Sequence, residues 1–309
     1  MEETEENEKD TLKTANNIIK EEINLQLHWY LPAFFVIYFA SFLIPAIIFM
    51  MFIMLFYLPL FLEIRNFISL FTNLPSLIVS LTLPLIIIIC YLIHLIVVAL
   101  ITRWFWAISE KRSPSKAGII PRNIPSKTLN YYHFRSFVIK YPKNAFSKGP
   151  FPWLVKWMFN FTRVNKIGRD SVLEEQIAGD RYVSMGENCY IGTNAAISSH
   201  AVEGIFGNIS FAEIKIGNNF TTAAFNCIAP GVNTGDNSWW LPMTGATKYN
   251  ILKGNNFYLG TPLRKIFKRK VMDYLQVTED DLKRAEELNK ISGLSKKNKL
   301  KIKEKTAND

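Results

Sequence analysis

Two long stretches of this 309-residue sequence contain no charged residue, and they limit what the chain can fold into. A helix that crosses the apolar core of a bilayer needs about 20 apolar residues, so residues 77–101 predict one membrane span. Residues 29–62 are too long for one upright helix and too short for two. We expect one long helix there, tilted or kinked at Pro45. Together the two stretches exclude a simple soluble globule and a disordered chain.

The basic residues near the span ends predict the orientation of the chain. Residues 103–150 contain ten Lys or Arg and one acid, whereas the connector 63–76 contains one of each. Basic loops stay in the cytoplasm, so both termini are predicted to be cytoplasmic at a cell membrane. The basic segment either contacts anionic lipid headgroups or only sets the topology. Because this clustering and the Lys-rich tail account for the net charge of +10, no nucleic acid partner is predicted.

Few residues in the spans carry chemistry. His94 lies inside the second span, but no acidic residue accompanies it in either span, so we predict a structural role. Cys90, Cys189 and Cys227 show neither a pairing pattern nor metal-ligand spacing. They therefore indicate a reducing compartment and no metal site.

The composition divides the chain into five segments. They are an acidic disordered head (1–24), a two-span transmembrane hairpin (25–103), a basic juxtamembrane linker without clear periodicity (104–160), a repeat domain (161–266), and a C-terminal helix with a Lys-rich tail (267–309). Within the linker, Phe151–Phe161 is aromatic and amphipathic; it is either an interfacial helix or the apolar cap of the repeat domain, and we favour the cap. Thr278 is the predicted N-cap of the C-terminal helix.

Aliphatic and small residues recur every six positions in the repeat domain. The spacing of 18, 6 and 6 links Ile167, Met185, Ile191 and Ile197, and steps of six link Ile216, Thr222, Ile228, Thr234, Trp240 and Ala246. A six-residue period indicates a hexapeptide β-helix, whereas an antiparallel domain would show strict alternation. Gly and Asn are expected at the corners, where φ is positive. Because 19 positions separate the two sets, Glu203–Glu213 is predicted to bulge out as a loop.

The segments Ile214–Val232 (IKIGNNFTTAAFNCIAPGV) and Tyr258–Ile266 (YLGTPLRKI) resemble motifs of the left-handed β-helix acyltransferases of the hexapeptide-repeat superfamily. Two spans before such a domain are similar to the C-terminal module of poly-lysine-synthetase-type proteins. The resemblance implies two transmembrane α-helices followed by an all-β, left-handed parallel β-helix and a C-terminal helix, assembled as a homotrimer. Departures from the family pattern at Thr222, Ala223 and Leu263 indicate a reshaped groove.

The resemblance also implies acyl transfer from a coenzyme A or phosphopantetheine thioester, used as co-substrate rather than as a permanently bound cofactor. The segment Ile197–His200 (ISSH) is similar to the place where maltose and xenobiotic acetyltransferases carry their catalytic histidine. His200 is then the general base in a groove between subunits, and a backbone N–H holds the oxyanion. Glu203, three residues on, is a candidate to orient the imidazole.

Other residues are candidates for binding the two substrates. Lys253, Arg264 and Lys265 lie near the closing coil, where the family contacts the donor, and would bind its phosphates. Asn226 either bonds the pantetheine or is a corner residue that satisfies backbone groups. Trp239 and Trp240 either line an acceptor pocket or pack in an interface.

Two functions remain open at this stage. The first is a membrane-anchored acyltransferase that modifies a hydroxyl or amine of a membrane-associated acceptor, such as a lipid-linked sugar or an envelope precursor. The alternative is a non-catalytic trimeric scaffold at the membrane, since the fold alone does not decide function. A cytoplasmic repeat domain should leave the N-x-[ST] sequons at Asn160, Asn208 and Asn219 unmodified.

Overall fold

A computed structural model describes residues 27–66, 68–122, 124–174, 181–203 and 207–267, with scattered positions between 276 and 287. The predicted acidic head and the Lys-rich tail lie outside the described residues. Around the start of the C-terminal helix, the Asp281 N–H donates to Thr278 Oγ1 at 3.2 Å, and the Thr278 N–H donates to Asp281 Oδ2 at 3.0 Å. This reciprocal pair confirms Thr278 as an N-cap.

The N-terminal part is a hairpin of two long apolar helices. Helix α1 (Leu27–Phe52) continues through a π-helical turn (Ile53–Tyr57) into α2 (Leu58–Ile64). A short α3 (Ser69–Thr72) leads into α4 (Leu74–Arg112). By length and composition, Tyr30–Ile64 and Leu74–Arg112 could each cross a membrane, with mean hydropathies of 2.6 and 3.0.

The irregular turn in the first helix lies at Ile53–Tyr57, not at Pro45 as predicted. Pro59 explains the position, because its ring would clash with the carbonyl oxygen four residues earlier in a regular α-helix. The chain accommodates Pro59 by widening the preceding turn. Pro45 instead faces the second helix, where its carbonyl oxygen accepts a hydrogen bond from Cys90 Sγ at 3.6 Å.

Helix α4 is much longer than the predicted span of residues 77–101. Its 39 residues extend over about 58 Å, against a bilayer core of about 30 Å. The two halves differ in their surroundings: Leu81 and Leu85 in the first half are exposed, while Leu95, Val98 and Trp106 in the second half are buried by protein. The second half of α4 is therefore a platform on which the rest of the molecule packs.

The sequence analysis predicted a linker without clear periodicity at 104–160. Within it, residues 107–150 are largely regular secondary structure. A short strand β1 (Gly118–Ile120) is followed by a 21-residue helix, α5 (Lys127–Ser147), which Ser126 caps by accepting from the Leu129 N–H. The buried positions of α5 recur every three or four residues: Leu129, Tyr132, Arg135, Val138, Ile139, Pro142 and Phe146. Arg135 and Pro142 interrupt this apolar stripe, so the hydrophobic pattern of the sequence did not show the helical period.

A parallel β-coil follows α6 (Leu154–Thr162). Its strands are β2 (Lys166–Ile167), β3 (Val172–Leu173), β4 (Val183–Met185), β5 (Tyr190–Ile191), β6 (Ala196–Ile197), β7 (His200–Glu203), β8 (Asn208–Phe211), β9 (Ile214–Ile216), β10 (Thr221–Thr222), β11 (Cys227–Ile228), β12 (Asn233–Thr234), β13 (Ser238–Trp240), β14 (Gly245–Ala246), β15 (Ile251–Leu252), β16 (Asn256–Leu259) and β17 (Arg264–Ile266). Except for β7, β8 and β17, they form three parallel sheets.

The strand register gives the repeat length of the coil. Ile216 pairs with Thr234 and Thr234 with Leu252, so equivalent positions are 18 residues apart in successive coils. Three hexads thus make one coil, and the inward residues of each hexad stack on one another, as Thr222 and Trp240 do. The parallel six-residue repeat is confirmed; the left-handed sense of the coil stays a prediction.

The corners of the coil are built by residues with positive φ at six-residue spacing. Asn219, Gly231 and Asn237 are among them, as predicted, but Phe225 and Met243 also adopt this conformation. The glycines that follow the aliphatic positions have another purpose. A Cβ on Gly217 would lie 2.7 Å from backbone atoms of the next coil, so these glycines allow the coils to approach closely.

The predicted bulge is present, but it is an ordered hairpin rather than an open loop. Ile197 pairs with Ile228, 31 positions later instead of 18, so 13 residues are inserted in this coil. Strands β7 and β8 of the insertion pair antiparallel, and β1 adds to β8. The insertion therefore connects the coil to the segment that precedes α5.

Helix α6 covers the first coil. Val155, Met158 and Phe159 are buried in the same core as the first inward residues of the coil. The Asn160 side chain bonds both backbone groups of Ile167, at 2.9 and 2.8 Å. The cap interpretation of Phe151–Phe161 is confirmed.

Candidate functional site

His200 lies at the start of the inserted hairpin, where the chain leaves the coil. The ring is half-buried, and its Nδ1 lies 3.2 Å from Ser198 Oγ. Ser198 Oγ also lies 2.7 Å from the His200 carbonyl oxygen, which can only accept, so the single hydroxyl proton is directed there. The hydroxyl oxygen then accepts from Nδ1–H. In the neutral ring this tautomer makes Nε2 the basic nitrogen.

Two aromatic residues lie near the imidazole. The Tyr132 ring, from α5, lies edge-on to it at a centroid distance of 5.8 Å. Phe211, on β8, is the cross-strand neighbour of His200 and also contacts Tyr132. His200 therefore lies where the coil, its insertion and α5 meet. The sequence analysis did not identify Ser198, although it lies two residues before the histidine in the ISSH motif.

Glu203 has partners of its own at the far end of β7. Its carboxylate forms an ion pair with Lys248 and accepts from Ser210 Oγ at 3.0 Å. Its hydrogen bond to Lys248 holds the pKa of this carboxyl below its usual range. Residues three apart on a strand point to opposite faces, so Ser198, rather than Glu203, occupies the orienting position on the imidazole.

The predicted donor-binding cations lie at the last coil. Lys253, Arg264 and Lys265 are exposed, and Lys265 pairs with Tyr258 across β16 and β17. Within the described part of the chain, no carboxylate forms a salt bridge with any of the three. Their role in donor binding stays a prediction.

Asn226, Trp239 and Trp240 have structural contacts. Asn226 is 1% exposed; it donates to the Ala223 carbonyl at 2.9 Å and accepts from the Thr244 N–H at 2.6 Å, as a corner residue does. Trp240 is buried inside the coil against Phe220. Trp239 stacks on Phe257 outside it, at a centroid distance of 4.8 Å. Of the alternatives that the sequence left open, these contacts fit the packing interpretations.

His94 is satisfied inside the helical hairpin. Nδ1 lies 3.1 Å from the Ser41 carbonyl oxygen, and Nε2 lies 3.0 Å from the Tyr141 hydroxyl. Because the carbonyl only accepts, Nδ1 carries the proton and Nε2 accepts from Tyr141. This bridge between α1, α4 and α5 supports the predicted structural role.

A partly buried polar network joins the coil to the end of α4. Glu110 accepts hydrogen bonds from Ser115 Oγ at 2.8 Å and from the Tyr182 hydroxyl. Arg135, from α5, lies 3.4 Å from the same carboxylate and donates to the Ser113 carbonyl at 2.9 Å. We call Glu110, Ser115, Arg135 and Tyr182 the junction network. Sequence reasoning missed it because its members are far apart in the chain.

The members of the junction network differ in burial: Arg135 is buried, whereas Glu110, Ser115 and Tyr182 are half-buried. Arg135 is 2% exposed, and burial lowers its pKa, although the guanidinium remains charged. Burial has the opposite effect on Tyr182: it raises the pKa of the phenol, which therefore stays protonated and donates to Glu110. A buried guanidinium is tolerated here because the carboxylate and helix-end carbonyls accept its protons.

A second group of cations lies beside the junction network. The buried guanidinium of Arg181 stands 4.2 Å from the Tyr132 ring centroid and donates to Ser136 Oγ at 2.6 Å. His133 lies near it, close to Tyr30. Burial, together with the positive charges of Arg122 and Arg181, lowers the pKa of His133 from 6.5 to about 4.

The low pKa of His133 predicts that acid destabilises the protein. Above pH 6.5 the imidazole is neutral in both folded and unfolded chains. Below pH 6.5 the unfolded chain takes up a proton that the folded chain resists, so stability falls by about 3 kcal/mol by pH 4. Denaturant unfolding at pH 7.0, 5.5 and 4.5 measures this slope. His133→Gln should flatten it; a slope as steep as that of the unmodified protein would contradict the assignment.

Three solved structures are similar to part of this chain. A maltose O-acetyltransferase from Clostridium difficile 630 aligns at 22% identity and a TM-score of 0.30, over 34% of this chain and 59% of that one. A galactoside acetyltransferase in complex with coenzyme A aligns at 27% identity and a TM-score of 0.30, over 35% of this chain and 56% of that one. An N-acyltransferase from Bacillus cereus, in complex with dTDP and 3-hydroxybutyryl-CoA, aligns at 18% identity and a TM-score of 0.27. The alignment covers 40% of this chain and 82% of that one.

The present chain thus spans somewhat more than half the length of the first two proteins. No protein-family model matches the chain, and no curated protein matches it. Among the residues that the structure describes, no group of three or more His, Cys, Asp or Glu side chains could hold a metal ion.

Proposed function

We propose that this protein is a membrane-anchored acyltransferase. It transfers an acyl group from a coenzyme A or carrier-bound thioester to a hydroxyl or amine of a membrane-associated acceptor. The observation that carries the proposal is the position of His200. Ser198 sets its tautomer, and it lies where α5 joins the coil to the end of the helical hairpin.

The mechanism uses His200 as the general base. Nε2 takes the proton of the acceptor hydroxyl or amine while the acceptor oxygen or nitrogen attacks the thioester carbonyl. The new bond to the acyl carbon forms and a tetrahedral oxyanion results, which a backbone N–H would stabilise. The carbon–sulfur bond then breaks, and the thiolate recovers the proton from the imidazolium. Throughout, Ser198 Oγ accepts from Nδ1–H and favours the charged ring.

The donor side of the proposal uses the exposed cations of the last coil. Lys253, Arg264 and Lys265 would bind the phosphates of coenzyme A or phosphopantetheine, since they have no carboxylate partner in the described part of the chain. His200 and this cation group lie on different coils, so a homotrimer, with the donor in a groove between neighbouring copies, is part of the proposal.

One surface feature would serve the alternative, a trimeric scaffold without catalysis. Phe225 and Met243 occupy equivalent corners of successive coils and are 60% and 71% exposed. Adjacent exposed apolar side chains of this size are typical of a contact surface. The same stripe would serve the trimer of an enzyme, so it does not distinguish the two functions by itself.

Thioester turnover tests the proposed function. The full chain, purified in detergent, is given acetyl-CoA or longer acyl-CoAs with an extract of membrane lipids and envelope precursors, and thiol release is followed. A second series supplies the acyl group on a phosphopantetheine carrier. We expect release that depends on the lipid extract. No release above the protein-free rate in either series would favour the scaffold.

The predicted orientation can be tested through one thiol. Cys227 is exposed on the coil, while Cys90 and Cys189 are buried, and the chain has three cysteines. A membrane-impermeant maleimide should therefore leave intact cells unlabelled and label Cys227 after permeabilisation. Cys227→Ser should abolish the signal. Labelling of Cys227 in intact cells would place the coil outside and contradict the cytoplasmic orientation.

A further inference from the structure

Helices α1, α4 and α5 leave a groove of about 730 Å³ between their ends, which we call the interhelical groove. Its walls are mostly apolar or aromatic and include Ala33, Phe105 and Phe134. It lies on the opposite side of α5 from His200: Asn130 and Phe134 line the groove, whereas Tyr132 contacts the histidine. A volume of this size is typical of small-molecule sites.

The interhelical groove has a cationic end and an apolar end. Arg112, the last residue of α4, and Lys127, the first of α5, lie at one end. Trp104 lies two helical turns earlier on α4, so the groove extends over about 12 Å. Both cations are exposed, no acid is among the lining residues, and within the described chain neither cation pairs with a carboxylate.

The apolar end of the groove continues into the surface that a bilayer would cover. Val36 and Trp104 are exposed at this end, and farther along the helices Phe39 and Leu100 are exposed as well. The cationic end lies beyond the spans, on the side of the coil. This direction matches a bilayer lipid, whose phosphate lies at the interface while its chains extend into the apolar core.

We propose that the interhelical groove binds one anionic, phosphate-bearing lipid of the bilayer. An acyl chain lies along Trp104, Phe105 and Phe134, and the phosphate lies between Arg112 and Lys127. This inference rests on the membrane insertion contained in the proposed function. It would hold a lipid headgroup about one helix diameter, ~10 Å, from the face of α5 that contacts His200.

Lipid binding to the full chain in an uncharged detergent tests the inference. Phosphatidylglycerol is titrated, and the bound fraction is measured by native mass spectrometry. We expect Arg112→Ala/Lys127→Ala to weaken binding at least tenfold, and Ile108→Trp, which fills the groove, to do the same. Lys111→Ala/Lys116→Ala removes two exposed charges from the same segment outside the groove and should bind as the unmodified chain does.

The outcomes separate the possibilities. Equal weakening by both double variants would show a diffuse electrostatic effect, and unchanged binding in all variants would show that the lipid lies elsewhere; either result overturns the inference. Full competition by millimolar inorganic phosphate would show a free phosphate site instead. The binding experiment contains no thioester, so it is independent of the turnover assay. Lipid binding without thioester turnover would refute only the proposed function. Thioester turnover without lipid binding would refute only this site.

Discussion

Replacement of His200 by alanine is expected to lower acyl transfer about 100- to 10,000-fold, the usual contribution of a general base. The variant loses Nε2, the proposed acceptor of the proton, while the coil, the proposed thioester site, stays intact. The ring is half-buried on an inserted hairpin, not inside the coil, so folding should be little affected. The measurement is thiol release with lipid extract, together with the oligomeric state of each protein.

Two neighbouring variants make the result specific to the imidazole. Ser198→Ala keeps the ring but removes the hydroxyl that accepts from Nδ1–H, so we expect a smaller loss, about tenfold, with a changed pH profile. Glu203→Gln removes a carboxylate paired with Lys248 and should retain most of the activity. If His200→Ala turned over thioester as fast as the unmodified protein, His200 would not be the base.

Replacement of Arg135 by leucine is expected to destabilise the protein by about 2 kcal/mol, because it removes the charged donor to the half-buried Glu110 carboxylate and to two carbonyl oxygens at the end of α4. Arg135 binds Glu110 and the carbonyl oxygen of Ser113, at the end of α4. All of these groups lose their cationic donor in the variant. Guanidinium unfolding of the detergent-solubilised protein, followed by far-ultraviolet circular dichroism, measures the change.

An exposed arginine on the coil provides the matched control. Arg169→Leu makes the same chemical change at an exposed position and should alter stability by less than about 0.5 kcal/mol. Arg135→Lys keeps the charge but not the planar fork, so it should recover part of the loss. Equal stabilities for Arg135→Leu and Arg169→Leu would show that the junction network does not hold the coil to α4.

Periodic features of this molecule were predictable from the sequence, because each is set by residues close together in the chain. The six-residue spacing predicted the parallel coil, since one inward residue per hexad must stack on its equivalent. The uncharged stretches predicted two long apolar helices. The break in the hexad spacing predicted the insertion, although its pairing with β1 depends on a segment 90 residues away.

The helix α5 and the junction network show where local patterns failed. Arg135 interrupts the apolar stripe of α5, and its burial makes sense only beside Glu110. The glycines after the aliphatic positions were assigned to corners, but contact with the next coil, 18 or more residues away, determines them. In each case the deciding neighbour is distant in sequence.

The sequence by itself determined the apolar hairpin, the hexapeptide coil and His200 as the histidine of the repeat domain. Only the tertiary structure decided that Ser198 lies within hydrogen-bond distance of the imidazole, that Asn226 and Trp240 are buried in the coil, and that α5 contacts His200. The physical reason is range: hydrophobic periodicity is a local property, whereas a buried hydrogen bond or ion pair depends on which distant groups folding brings within about 3 Å.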